Sequence, residues 1–213
     1  MSWDGLTWFG LVVTSYLIGG IPTAYLTTRL LTGRDIHRLG DRNSGAANVF
    51  RNVGPKAGLI VGTIDIIKGA VAVLLAWVLV DSTALKMMAG VAVLAGHNWP
   101  VHLGLRGGRG AATAIGVLLA MLPVLAVPVG ALTLVVLYLT RRAIKALGFF
   151  LIAVPVLAWP VGVLAGPIGY SYPVAIYPAA IAVMVGLTHY VSVRALASGV
   201  EPERGDERVL PQG

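Results

Sequence analysis

Apolar segments of about twenty residues, separated by short loops that carry most of the positive charge, run through nearly the whole chain. A helix needs about 20 apolar residues to cross the hydrocarbon core of a bilayer. Four segments, near 5–28, 57–80, 84–103 and 173–195, meet that length, and a fifth near 147–165 is adequate. The stretch from Ala111 to Thr140 is apolar for 30 residues and carries Pro123 and Pro128. It is too long for one ordinary span, and proline breaks or kinks a helix by removing a hydrogen bond. It reads either as one kinked helix or as a hairpin of two short ones.

Loop charge decides between these, because Lys and Arg gather in cytoplasmic loops. The loop after the first span holds Arg29, Arg34, Arg38, Arg42, Arg51 and Lys56, and the loop at 104–110 holds Arg106 and Arg109. Arg141, Arg142 and Lys145 follow, then Arg194, Arg204 and Arg208 near the C-terminus. These are fourteen of the 16 basic residues, whereas the opposite connections hold only Lys86. All fourteen share one face only if the chain crosses an even number of times between 110 and 141. The expected fold is therefore an all-α integral membrane protein, a bundle of about seven transmembrane helices with the N-terminus outside and the C-terminus cytoplasmic. Residues 1–200 make one membrane domain and 201–213 a polar cytoplasmic tail. The first apolar run follows Met1-Ser2-Trp3-Asp4 with no basic stretch, so it reads as a span and not as a cleaved signal.

Composition agrees: 57% of the residues are hydrophobic and 12% charged, against roughly a quarter charged in soluble domains. A net charge of +7 invites a nucleic-acid reading, but that needs a folded basic surface in solvent. Here the bases lie between apolar runs, so a lipid surface or a phosphorylated substrate is the expected partner and nucleic acid is not. The absence of cysteine excludes disulfides and thiolate metal sites. No metal-ligand cluster or cofactor motif is visible.

Three segments depart from generic membrane-protein loops. Gly40-Asp41-Arg42-Asn43-Ser44-Gly45-Ala46-Ala47-Asn48-Val49-Phe50-Arg51 is polar and rich in small residues. Backbone N–H groups in glycine turns make concave anion sites, and arginine adds bidentate charge-assisted bonds. The plain alternative is a solvated connector with headgroup-facing arginines. Gly96-His97-Asn98-Trp99-Pro100 is followed by Arg106-Gly107-Gly108-Arg109-Gly110, which leads into a helix whose N-terminus favours an anion. A flexible turn is the alternative there, and the spacing is not that of a nucleotide P-loop. Asp65 and Lys68 lie inside the second span, three apart on one helix face, placed for an ion pair that is either structural or part of a polar site. Gly58 and Gly62 read as a helix-packing surface. His189, late in the last span, reads as a hydrogen-bonded structural group or, together with His97, as one flank of a shared polar pocket, and His37 and His102 are expected on the surface.

Taken together, these segments resemble the acyl-phosphate-dependent glycerol-3-phosphate acyltransferases of bacteria, the PlsY family. The resemblance rests on Gly20-Ile21-Pro22-Thr23-Ala24-Tyr25-Leu26, the Asn43–Arg51 loop, Asp65-x-x-Lys68-Gly69, Gly96-His97-x-x-Pro100 and Gly107-Gly108-Arg109-Gly110-Ala111-Ala112-Thr113, in that order. It implies a seven-helix enzyme of the bacterial inner membrane with its active site on the cytoplasmic face. It also implies a reaction in which an acyl group passes from acyl phosphate to the 1-hydroxyl of glycerol 3-phosphate. Asn43, Gly45, Asn48 and Arg51 would belong to a first phosphate-binding motif, and Gly107, Gly108, Arg109 and Thr113 to a second. Arg51, Arg109 and His189 would be the catalytic candidates, with Asp65, Lys68 and His97 as further substrate-site candidates. No metal or cofactor is implied.

The chain differs from the family pattern at several places. Where the family reads Gly-Ser-Gly-Asn, this chain has Gly40-Asp41-Arg42-Asn43; Ala47 replaces a threonine, Arg109 a lysine, and Thr188 and Ser192 stand where an arginine and an asparagine are usual. Asp41 is expected to be neutralised by Arg42, or the acceptor to differ. Three readings follow: a glycerol-3-phosphate acyltransferase, an enzyme of the same fold with another polyol phosphate acceptor, or a non-catalytic carrier with Asp65 and Lys68 lining its path.

Overall fold

The computed structural model describes residues 3–164 and 172–197, and the expected tail at 201–213 lies outside them. Among the described residues there are nine α-helices: α1 Trp3–Gly20, α2 Thr23–Thr32, α3 Ala46–Asn52, α4 Pro55–Leu79, α5 Thr83–Asn98, α6 Ala111–Met121, α7 Pro123–Thr140, α8 Ala143–Leu164 and α9 Tyr172–Ala197. Among the same described residues, five segments are long and apolar enough to cross a membrane: Gly5–Thr32, Pro55–Leu79, Pro123–Thr140, Ala143–Val161 and Pro173–Ala195.

Two spans differ from expectation. The first is interrupted at Ile21-Pro22, because proline lacks the N–H that would continue the ladder. The segment expected at 84–103 ends as an α-helix at Asn98; Pro100 then opens a 3-10 turn at Val101–Leu103. Its 16 residues reach about 24 Å at 1.5 Å per residue, against about 30 Å of hydrocarbon. The apolar run at 111–140 breaks at Leu122 (φ −132°, ψ 59°), where Pro123 takes the first position of α7. Its first part, α6, is only 11 residues long.

Helices without a hydrophobic drive to associate in lipid gain most from close backbone packing at small residues. Two reciprocal glycine contacts do this. A Cβ on Gly69 of α4 would run into the Thr113 carbonyl of α6, and one on Gly116 of α6 into the Ile66 carbonyl of α4. Gly19 of α1 and Gly96 of α5 stand in the same relation to Val93 and Tyr16. Gly58 and Gly62 receive α3, at Phe50 and Ala46, as expected of a packing surface. The largest buried cluster, with Val73, Leu94, Leu118, Phe150, Val154 and Ile181, joins α4, α5, α6, α8 and α9. Leu30, Val78 and Val124 remain more than four-fifths exposed, as lipid-facing side chains would be.

Candidate active site

The segment between α2 and α3 folds back on itself under the control of one buried amide. Asn48 Nδ2 donates to the carbonyls of Leu39 and Asn43, at 2.9 and 3.0 Å, while its Oδ1 accepts from Asn52. Asn48 is wholly buried and its donors are consumed by the loop. Its place in the site is thus to shape the turn that carries Asp41. Arg42 adopts a left-handed conformation (φ 56°), and its N–H closes the turn on Leu39 O at 2.9 Å. Asn43 packs its amide against Gly45, which opens α3 in an extended conformation.

Asp41 joins the two arginine loops. Its Oδ2 accepts from Arg51 at 3.0 Å and from Arg109 at 3.2 Å. The expected neutralisation by Arg42 is not what the structure has: Arg42 is exposed, and the left-handed turn directs the pairing to Arg51 and Arg109 instead. Asp41 Oδ1 and Arg109 Nε are both buried and without a hydrogen-bond partner among the described residues. So are the Asn98 amide and Thr113 Oγ1, at the end of α5 and in the first turn of α6.

The glycines before α6 act differently from the expected anion cradle. Gly107 N–H donates to Asn98 O and Gly108 N–H to His97 O, each at 3.1 Å. These bonds satisfy carbonyls left open at the end of α5. The glycines are needed because the strand of loop lies directly on α5: a Cβ on Gly107 would enter the His97 carbonyl, and one on Gly108 the His97 ring. Gly110 (φ 80°) is the left-handed residue before α6.

Asp65 and Lys68 form the expected pair at 2.9 Å, both buried. Asp65 Oδ1 also accepts from Thr23 Oγ1 at 2.6 Å, and Lys68 Nζ donates to Ile21 O at 3.2 Å. His97 Nδ1 stands 3.7 Å from Asp65 Oδ1, too long for a hydrogen bond. Lys68 and His97 line a cavity with Ser44, Gly107 and Gly108 whose volume is about 10 Å³, room for about one water. The polar residues thus fall into an inner, internally paired group around Asp65 and an outer group around Asp41.

His189 is exposed on α9, whereas His97 is buried against Gly108 and lines a small cavity whose described lining does not include His189. The residue before it, Thr188, makes the connection. Its Oγ1 lies 3.1 Å from the carbonyl of Arg109, tying α9 to the second basic loop. His37, expected on the surface, is half-buried; its Nδ1 meets Asp35 at 2.8 Å and its Nε2 the Arg106 carbonyl at 2.8 Å, so it joins the two basic loops. Sequence reasoning missed Thr188 and His37. An acid within a basic loop was the available signal for Asp41, but its partner Arg109 is distant in sequence.

A family model described as glycerol-3-phosphate acyltransferase matches residues 9–199. Glycerol-3-phosphate acyltransferase 4 of Dehalococcoides mccartyi is 42% identical over 183 residues, 86% of this chain and 95% of that protein. The glycerol-3-phosphate acyltransferase of Thermoanaerobacter sp. is 43% identical over 61% of this chain and 65% of its own. The crystal structure of PlsY, an integral membrane glycerol 3-phosphate acyltransferase in its glycerol 3-phosphate form, superposes with a TM-score of 0.74 at 30% identity, covering 93% of this chain and 96% of that one.

Proposed function

Since this chain belongs to the glycerol-3-phosphate acyltransferase family, we propose that it moves a fatty acyl group from acyl phosphate to the 1-hydroxyl of glycerol 3-phosphate, releasing lysophosphatidate and inorganic phosphate. It is a multi-pass membrane acyltransferase, and family membership sets the carrier reading aside. The observation that carries the site assignment is the convergence of Arg51 and Arg109 on one oxygen of Asp41. Two guanidinium groups, one from α3 and one from the loop before α6, both within reach of one anionic oxygen, are the arrangement a phosphate group requires.

Acyl phosphate is a mixed anhydride with a good leaving group, so the protein need not supply a nucleophile. The acceptor hydroxyl oxygen bonds to the acyl carbon, the bond from that carbon to the phosphate oxygen breaks, and the hydroxyl proton passes to a phosphate oxygen. Positioning and charge stabilisation carry the rate. Arg51 and Arg109 hold phosphate, Asn48 and Gly45 set the first loop, Gly107 and Gly108 set the second, and Asn43, Thr113 and His189 complete the acceptor side. Asp65, Lys68 and His97 form the floor. We assign the site to the cytoplasmic face of the inner membrane of a seven-span bundle, supported by the gathering of the first two basic loops and α9 at Arg109.

Purified protein given palmitoyl phosphate and glycerol 3-phosphate tests this. Equimolar phosphate and lysophosphatidate, read by mass spectrometry, are expected. Phosphate release without lysophosphatidate would reject glycerol 3-phosphate as acceptor, and neither product would reject the reaction.

A further inference from the structure

Asp41 is placed to recognise more than its two arginines. Its Oδ2 is filled by Arg51 and Arg109, whereas Oδ1 is buried and has no donor among the described residues. Arg109 Nε, on the neighbouring side chain, is a buried donor with no acceptor among the described residues. A buried polar group left unpaired costs about 1–3 kcal/mol, so such groups mark where a ligand completes the bonding. A fully ionised phosphate satisfies only the donor. A hydroxyl on the same ligand supplies the donor that the open carboxylate oxygen lacks. The side chain keeps 24% exposure through its other atoms while Oδ1 itself is covered, so a ligand reaches that oxygen by a small turn of the carboxylate on binding. Asn48 and the left-handed Arg42 hold the turn in place, so the carboxylate is preset.

We propose that Asp41 is an acceptor-recognition residue: Oδ2 holds Arg51 and Arg109 as a pair for the phosphate, and Oδ1 accepts a hydrogen bond from a hydroxyl of the acceptor. The inference rests on the phosphate site assigned under Proposed function. It gives the acid of this basic loop a selective role, favouring polyol phosphates over phosphates that lack hydroxyls. The carboxylate also lowers the positive charge of the site, so the affinity for bare anions is held down while the hydroxyl bond restores affinity for the acceptor alone.

The test compares dissociation constants for glycerol 3-phosphate and for ethyl phosphate, which keeps the phosphate and has no hydroxyl, by titration calorimetry of the full chain in detergent. The wild type should prefer glycerol 3-phosphate by about tenfold, the worth of one hydrogen bond to a charged group. In Asp41→Ala the ratio should fall to within about twofold, whatever happens to the absolute affinities, because loosening the arginines weakens both ligands alike. Asp41→Asn keeps the size and a neutral acceptor oxygen and should show an intermediate ratio, which covers failure of the alanine variant to fold. If both ligands bind and the ratio is unchanged in the variants, the inference is overturned while the phosphate site stands. An equal rise in both affinities would overturn it too, leaving the carboxylate as a mere occupant of the anion site. Binding of neither ligand by the wild type would remove the underlying reading and this inference together.

Discussion

Arg51 and Arg109 share a single carboxylate oxygen, Asp41 Oδ2, although one arginine lies in α3 and the other just before α6. Each therefore loses part of its orientation when the other loop moves. Arg51→Ala and Arg109→Ala should each lower kcat/KM by about ten- to a hundredfold, the loss of one charge-assisted bond to phosphate. Arg204→Ala should leave the rate unchanged. Steady-state phosphate release checks this, and equal effects at all three positions would mean that the site is misplaced. Arg109→Lys should fall between, since an ammonium keeps the charge without the planar fork.

The glycines before α6 are predicted to fail through backbone contact. Gly107→Ala places a methyl group in the His97 carbonyl, which no rotamer relieves. The expected cost is about 1–3 kcal/mol of stability, with loss of most activity. Gly148→Ala on α8 has nothing within 4 Å of its new methyl and should hold or slightly raise the melting temperature. A thermal melt in detergent together with the activity assay separates the two; an active, stable Gly107→Ala would reject the close-packing account.

Lys68→Met should destabilise more than the loss of both charges. It strands the buried Asp65 carboxylate with Thr23 as its remaining hydrogen-bond donor, a cost of about 3–5 kcal/mol for an uncompensated charge. The pair Asp65→Leu with Lys68→Met should recover part of the melting temperature. A double variant less stable than the single one would show that the pair does more than cancel its own burial.

Thr188→Val should lower kcat/KM by about two- to tenfold with the melting temperature kept, because one neutral hydrogen bond ties α9 to Arg109. The single hydroxyl proton is also within reach of the Met184 and Val185 carbonyls, so the effect stays modest. Thr188→Ser should retain wild-type rates. A Thr188→Val enzyme as fast as wild type would detach α9 from the site.

Local chemistry was the legible part of this molecule. Apolar length placed the long helices, prolines placed the break at Leu122, and three-residue spacing placed the Asp65–Lys68 pair. Pro22 and Pro100 ended helices inside segments that hydropathy alone joined together. The arrangement of the site was harder to read because it depends on returns of the chain. Nothing local says that the Gly107 and Gly108 amides will serve the end of α5, or that His37 will reach Arg106. Asp41 was visible as an acid out of place, but its partner was assigned to the adjacent Arg42, and one left-handed residue sends it elsewhere. Motif order singled out Asn48 as a phosphate-motif residue, but it could not show that its amide would be used up by the carbonyls of its own loop.

The interruption at Pro22 has a consequence for how the chain is assembled. The Ile21 carbonyl sits where the first helix is broken, and Lys68, on α4, supplies a charged donor to it at 3.2 Å. Thr23, just beyond the break, likewise gives its hydroxyl to Asp65. This hydrophobic segment is thus completed by groups synthesised more than forty residues later. Until α4 stands beside it, the Ile21 carbonyl and the Thr23 hydroxyl lack these two partners, so the corner that Pro22 makes is complete only when both segments are in place.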